Sequence, residues 1–360
     1  HDLMAGERGV GARLVRRLWR RRSWRARAAR AALLPFSGIY AGVVAVRAAA
    51  YRAGVARARP LPLPAIAVGN LSVGGTGKTP LAAWIASYCL RRGRRPGILL
   101  RGYGRDEVLV HERLVPEAIV VANRDRLAGG VTALSSGADV LVLDDAFQLL
   151  AVRPDLNIAV LATEQERLAR WTLPAGPWRE LRRALGRAQV LVVTRKRADA
   201  ESAEQLSRRL ATQWPAATVA QARLAVRHLV GMRSGTRVAL DRLQGQRVSA
   251  AAAIADPESF AVQIRSSGAT VQLAAYQDHH EYNVDDVQRL VRLAAASSYL
   301  VITEKDAVKL RALWPAEGPE PFVAELEWMW ERNEGAVVAA LDRVLAVPVH
   351  PKRDTTNHNP

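Results

Sequence analysis

The segment Val68-Gly69-Asn70-Leu71-Ser72-Val73-Gly74-Gly75-Thr76-Gly77-Lys78-Thr79-Pro80 constrains this chain more than any other. It lies between an apolar run that reads as a strand, Ala65 to Val68, and one that reads as a helix, Leu81 to Leu90. Strand, glycine-rich loop and helix in that order form the context of a phosphate-binding loop. Glycines let successive N–H groups crowd around an anion with no Cβ in the way, and the helix aims its positive end at the same point. Gly74, Gly75, Thr76 and Gly77 would cradle phosphates, Lys78 would reach the terminal ones, and the Thr79 hydroxyl would help hold Mg²⁺. The usual spacing asks for glycine where this chain has Ser72 and adds one at Gly74. On spacing alone, a glycine-rich turn before Lys-Thr stays open.

Short β-like runs follow at Gly97 to Leu100, Ala118 to Val121, Val140 to Leu143, Ile158 to Leu161 and Val190 to Thr194. Most are continuously apolar, as strands covered on both faces must be, and helix-like stretches separate most of them. The pattern predicts a doubly wound, mostly parallel α/β sheet, whose ligands bind beyond the carboxyl ends of strands. Asp144 and Asp145 follow one such run and suit a metal carboxylate, or a simple cap. Arg101 to Glu107 follows another and reads as a tight loop with Asp106 and Glu107 as acids at its rim. Leu173 to Glu180 is a Pro- and Gly-punctuated connector ending in an Arg–Glu pair.

From about Val230 the alternation restarts. Arg247 to Ile254, Thr270 to Ala275 and Tyr299 to Thr303 read as strands; Pro257 to Ser267 and Val284 to Ala296 read as helices. This predicts a smaller second α/β domain. In the loop Tyr276 to Tyr282, adjacent His279 and His280 would point in different directions, which disfavours a metal site. An acid–base role, substrate orientation or a plain surface loop remain. Thr303-Glu304-Lys305-Asp306 has the form of a capping box.

The net charge of +18 is concentrated at one end: residues 1–60 carry 14 Arg, no Lys and two acids, a net of +12. Residues 8–30 place arginines opposite Leu, Val and Trp on a helical wheel, a pattern suited to an anionic membrane surface. A solvated basic tail and a nucleic-acid arm are the competing readings, though no nucleic-acid motif follows. Ala31 to Val46, interrupted by Pro35, reads as too short for a membrane span of about 20 residues. The single cysteine, Cys89, excludes an intrachain disulfide and reads as a small core residue. The expected division is a basic helical segment over 1–60, a P-loop domain over 61–229, the second domain over 230–345 and a tail over 346–360.

Together these motifs resemble one family, the tetraacyldisaccharide 4′-kinases, membrane-associated lipid A precursor kinases of Gram-negative bacteria. The resemblance runs from about Leu33 to Leu313. It is carried by Leu34 to Tyr40, the loop Gly69 to Pro80, Arg101 to Gly104, Asn123 to Arg126, Asp144 to Gln148, Leu173 to Glu180, Asp256 to Phe260, Asp278 to His280 and Thr303 to Asp306. The Ser-Val-Gly-Gly-Thr-Gly-Lys-Thr-Pro form of the loop is itself a hallmark of that family.

The resemblance implies a P-loop kinase domain, a smaller C-terminal domain and an N-terminal helix on the cytoplasmic face of the inner membrane. It implies transfer of the ATP γ-phosphate to the 4′-hydroxyl of a tetraacyldisaccharide 1-phosphate. It assigns phosphate stabilisation to Lys78, Mg²⁺ to Thr79 with Asp144 or Asp145 and further to Glu180, and the base to Asp106, oriented by His279. Arg101, Tyr103, Gln148 and Arg179 would face the acceptor. Three departures stand out: a long insert before the base is absent, so that Arg105 and Val108 flank Asp106-Glu107; Ala146 replaces a glycine; and Leu149 replaces a histidine. A membrane P-loop ATPase switch is the rival reading, but it needs a signature lysine early in the loop and positions 69–77 hold none.

Overall fold

A computed structural model describes residues 18–19, 23–102, 105–166, 171–278 and 280–347. The central strand β1 (Ala65–Gly69) is buried along its whole length, as are β2 (Pro96–Leu100) and β4 (Val140–Leu143). Side chains alternate between the faces of a strand. Ile66 and Val68 therefore join Leu81, Ile85 and Cys89 of helix α2 (Lys78–Arg91) on one side. Ala65 and Ala67 meet Leu99, Leu141 and Leu143 on the other. Both layers are needed, which is why these strands are apolar without a break.

Strand β3 (Ile119–Ala122) lies at one edge, and β5 (Leu156–Ala162), β6 (Val190–Arg195) and β7 (Thr218–Gly231) extend the sheet the other way. The first half has the order β7-β6-β5-β1-β4-β2-β3, all parallel. β1 sits between β4 and β5, so the glycine loop and the Asp144-Asp145 pair leave neighbouring strand ends.

The second half carries β8 (Arg237–Ala239), β9 (Arg247–Ala252), β10 (Thr270–Ala275), β11 (Tyr299–Thr303) and β12 (Phe322–Arg332). β12 pairs antiparallel with β7, and β11, β9 and β10 follow in order, giving one twelve-stranded sheet. The expected boundary at 229/230 falls inside β7. The last described helix, α9 (Glu334–Leu345), does not stay with the second half. Its Val337, Ala340 and Leu341 enter the first core, and Asp342 accepts from Tyr88 at 2.6 Å and Arg92 at 2.8 Å. The remaining helices are α3 (Arg105–Leu114), α4 (Arg126–Ser135), α5 (Ala200–Gln213), α6 (Pro257–Arg265), α7 (Val284–Ala295) and α8 (Glu304–Leu310), the last begun by the expected capping box on Thr303.

Helix α1 (Trp24–Arg52) corrects the expectation of a short, Pro35-interrupted segment: it runs 29 residues through Pro35 and is long and apolar enough to cross a membrane. Proline removes one backbone bond from a helix interior. Here Ala- and Leu-rich flanks favour the helix, and contacts to the body hold its middle. Ser37 is buried, donating to Thr172 O and accepting from Ala175 N, both at 2.9 Å. Tyr40 donates to Arg179 O at 3.1 Å. Phe36, Ile39, Val43 and Val46 face outward, all more than half exposed at helical spacing. The expected amphipathic stretch before residue 23 lies almost wholly outside the described residues.

Cys89 is fully enclosed, and burial pushes its thiol up to about 12. The folded pKa lies above the unfolded one, so this protection is complete below about pH 8.5 and is lost as pH rises toward 12. Alkylation at pH 8 should therefore label denatured protein fully and native protein at a rate limited by unfolding. Rapid native labelling would show the packing of α2 to be wrong.

Candidate active site

The loop after β1 is tied down from several directions. Asn70 donates to Thr76 Oγ1 at 2.9 Å, and Thr194, at the end of β6, donates to Thr76 O at 2.8 Å. Lys196 Nζ donates to Gly75 O at 3.0 Å, while Ser72 hydrogen-bonds Gln165. Gly77 is left-handed (φ 97°), the conformation that favours glycine, and a Cβ there would also crowd the end of the Leu224 side chain at 2.5 Å. α2 begins at Lys78 with no side-chain cap. Its N-terminal donors are thus directed into the cleft, as anion binding requires.

Asp144 and Asp145 complete this end. Thr79 donates to Asp144 Oδ2 at 3.0 Å, and the Asp145 N–H donates to Asp144 Oδ1 at 2.8 Å. Burial opposes the charge of Asp144, yet the His111 hydrogen bond and the Lys78 charge hold its carboxyl below the usual range. Lys78 Nζ lies 3.5 Å from Asp145, and Arg179 donates to both Asp145 oxygens at 3.0 and 2.9 Å. Partial burial is outweighed by these two cations, so the Asp145 carboxyl is also lowered. The left-handed residue in this turn is Asp145 (φ 53°), a conformation aspartate tolerates, while Ala146 is not left-handed, so the departure from glycine is accommodated. Gln148 accepts from Arg179 at 3.4 Å and donates to Asn70 O.

Asp106 is not at a loop rim: it lies buried in the first turn of α3, 3.6 Å from Lys309 of α8. Lys309 also meets Glu281 at 3.2 Å and His280 O at 3.0 Å, and Arg113 pairs with Glu304 at 3.0 Å, so α3 and α8 close the cleft between the two halves. Arg101 lines the cleft with an exposed side chain. Glu180 borders it, but Arg187 engages both its oxygens, at 2.8 and 3.0 Å, which disfavours the expected metal role. Tyr103 and His279 lie outside the described residues. Neighbouring Asp278 lines the cleft, and His280 pairs with Asp286 at 2.7 Å.

Sequence reasoning missed His111, Lys196 and Lys309. The loop reading of Arg101 to Glu107 stops short of His111, and the structure buries positions 106, 110 and 111 together at helical spacing on α3. Lys196 follows β6 at a strand end, and burial lowers its ammonium against the pull of Asp256 and Glu164. Leu149 lines the cleft where the family pattern has histidine; the imidazole at Asp144 enters from α3 instead.

The cleft has a volume of about 1310 Å³ and is lined by the glycine loop, both aspartates, Asp106, and Tyr40, Val44 and Arg47 of α1. Thr79 beside Asp144 forms a hard-oxygen donor pair. Among the described residues no cluster of three or more His, Cys, Asp or Glu is suited to a metal. Such a site fits Mg²⁺, which is commonly held by one or two protein ligands plus substrate phosphates.

A parallel sheet with an uncapped loop-helix junction, a neighbouring Thr–Asp pair and a facing acid define a P-loop phosphotransferase. A profile described as tetraacyldisaccharide-1-P 4′-kinase (LpxK) matches residues 29–346. The chain belongs to that family. It is 34% identical over 322 residues to the tetraacyldisaccharide 4′-kinase of Pelobacter propionicus, covering 82% of this chain and 87% of that protein. It is 37% identical over 300 residues to that of Geobacter metallireducens, covering 75% and 86%. The crystal structure of LpxK from Aquifex aeolicus in complex with ATP superposes with a TM-score of 0.67 at 26% identity, covering 88% of this chain and 99% of that one.

Proposed function

We propose that this protein transfers the γ-phosphate of ATP to the 4′-hydroxyl of a tetraacyldisaccharide 1-phosphate, a step of lipid A biosynthesis. Family membership supports the reaction and disfavours the switch ATPase. The observation that carries a lipid acceptor is that α1, with its exposed apolar stripe, lines the same cleft as Lys78 and Asp106. An acyl-bearing substrate can then stay with the membrane while its sugar enters the cleft.

Phosphoryl transfer depends on positioning and charge stabilisation. The loop N–H groups and the α2 terminus hold the phosphates, and Lys78 moves from Asp145 onto them. Thr79 and Asp144 would hold Mg²⁺, which supplies neutralising charge to the phosphate oxygens. Asp106 accepts the proton of the attacking hydroxyl, and His279 orients it. Arg179, Gln148, Arg101 and Tyr103 position the acceptor. Purified protein, Mg²⁺-ATP and detergent-dispersed tetraacyldisaccharide 1-phosphate should give a bis-phosphorylated lipid. ATP hydrolysis without that lipid product would defeat the proposal.

The same reading places α1 in the cytoplasmic interface of the inner membrane, lying on it rather than through it. Its middle is bonded to the protein body through Ser37 and Tyr40, so only one face is free to meet lipid. Burying a side chain of this size is worth about 1.5–3 kcal/mol. Ile39→Asp with Val43→Asp should lower partition onto anionic vesicles by about 100-fold or more. Unchanged co-sedimentation would remove α1 from the interface.

A further inference from the structure

His111 is fully enclosed on α3 and has no part in the reaction as described so far. Its Nε2 lies 3.0 Å from Asp144 Oδ2, the oxygen that also accepts from Thr79 at 3.0 Å. Its Nδ1 is buried without a hydrogen-bond partner among the described residues. A carboxylate oxygen can only accept, so Nε2 is the donor in this contact with Asp144. Three donors then fix one carboxylate: the Thr79 hydroxyl from α2, His111 from α3 and the backbone of Asp145.

Mg²⁺ demands near-ideal octahedral geometry, so a misaimed carboxylate binds it poorly. We propose that His111 is a positioning residue of the Mg²⁺ site, locking the Asp144 carboxylate so that it and the Thr79 hydroxyl face one cation. The inference rests on the reading of Asp144 as a Mg²⁺ ligand. It also gives α3 two tasks, since Asp106 lies five residues earlier on the same helix. Side chains that hydrogen-bond a metal's ligands typically contribute about 10- to 100-fold in metal affinity.

The test is equilibrium binding of a fluorescent ATP analogue to the full chain across a Mg²⁺ titration and in EDTA, with thermal melting of each variant. His111→Leu should keep the affinity seen in EDTA and need about 10- to 100-fold more Mg²⁺ for the metal-dependent gain. His111→Gln places an amide donor near the Nε2 position and should restore most of the Mg²⁺ response. His111→Asn, whose shorter amide falls near Nδ1, should not. The Gln and Asn pair decides the matter even if the Leu variant fails to fold. A wild-type Mg²⁺ response in His111→Leu, or equal responses in Gln and Asn, overturns the proposal. Asp144→Asn separates the two levels. If it keeps the Mg²⁺ response, the metal reading itself fails; if it alone loses the response, only the role of His111 fails.

Discussion

Asp106→Asn should lower turnover by about 10²- to 10⁴-fold, the usual contribution of a positioned general base, while ATP affinity stays near wild type. The acid sits in the first turn of α3, inside the cleft but on a different element from the phosphate loop. The substitution removes one carboxylate from Lys309, yet Glu281 still lies 3.2 Å from that ammonium. The lysine is therefore not left as an uncompensated buried charge, and the fold should survive. Steady-state kinetics with lipid acceptor, paired with nucleotide titration, checks both halves. Turnover at the wild-type rate would end the assignment of Asp106 as base.

Lys78→Met should reduce kcat by about 10²- to 10³-fold, the scale seen when one preorganised charge donor is removed from a transition state, and should weaken ATP binding as well. Lys78 stands at the first position of α2 and lies 3.5 Å from Asp145. Arg179 keeps Asp145 paired in the variant through two hydrogen bonds, so the loss should be functional rather than structural. A single-turnover experiment separates chemistry from binding. Unaltered nucleotide affinity together with unaltered chemistry would show that Lys78 does not meet the phosphates.

What was legible in the sequence was local. The β1–loop–α2 unit, the aspartates at the end of β4 and the capping box on Thr303 each depend on a few adjacent residues, and the structure places all three as read. What was not legible depends on distant partners. The pairing of β7 with β12 and the return of α9 to the first core join residues more than 90 positions apart, which no periodicity encodes. Pro35 signals a break that contacts of Ser37 and Tyr40 with residues 172–179 override. His111 was passed over because Arg101 to Glu107 reads as a loop, while the helix that begins at Arg105 turns the imidazole onto Asp144.

The return of α9 sets an order of events in synthesis. Val337, Ala340, Leu341 and Val344 fill the same core as Ile66 and Leu81, on the face of the sheet that also carries α2. A nascent chain that has emerged only as far as β7 has every strand of its nucleotide-binding half but a seam open along one face. The kinase half can seal only after residue 345 has left the ribosome. Until then the apolar seam stays open to chaperones and proteases, and a chain interrupted upstream of α9 lacks the residues that close the core beneath its own phosphate loop.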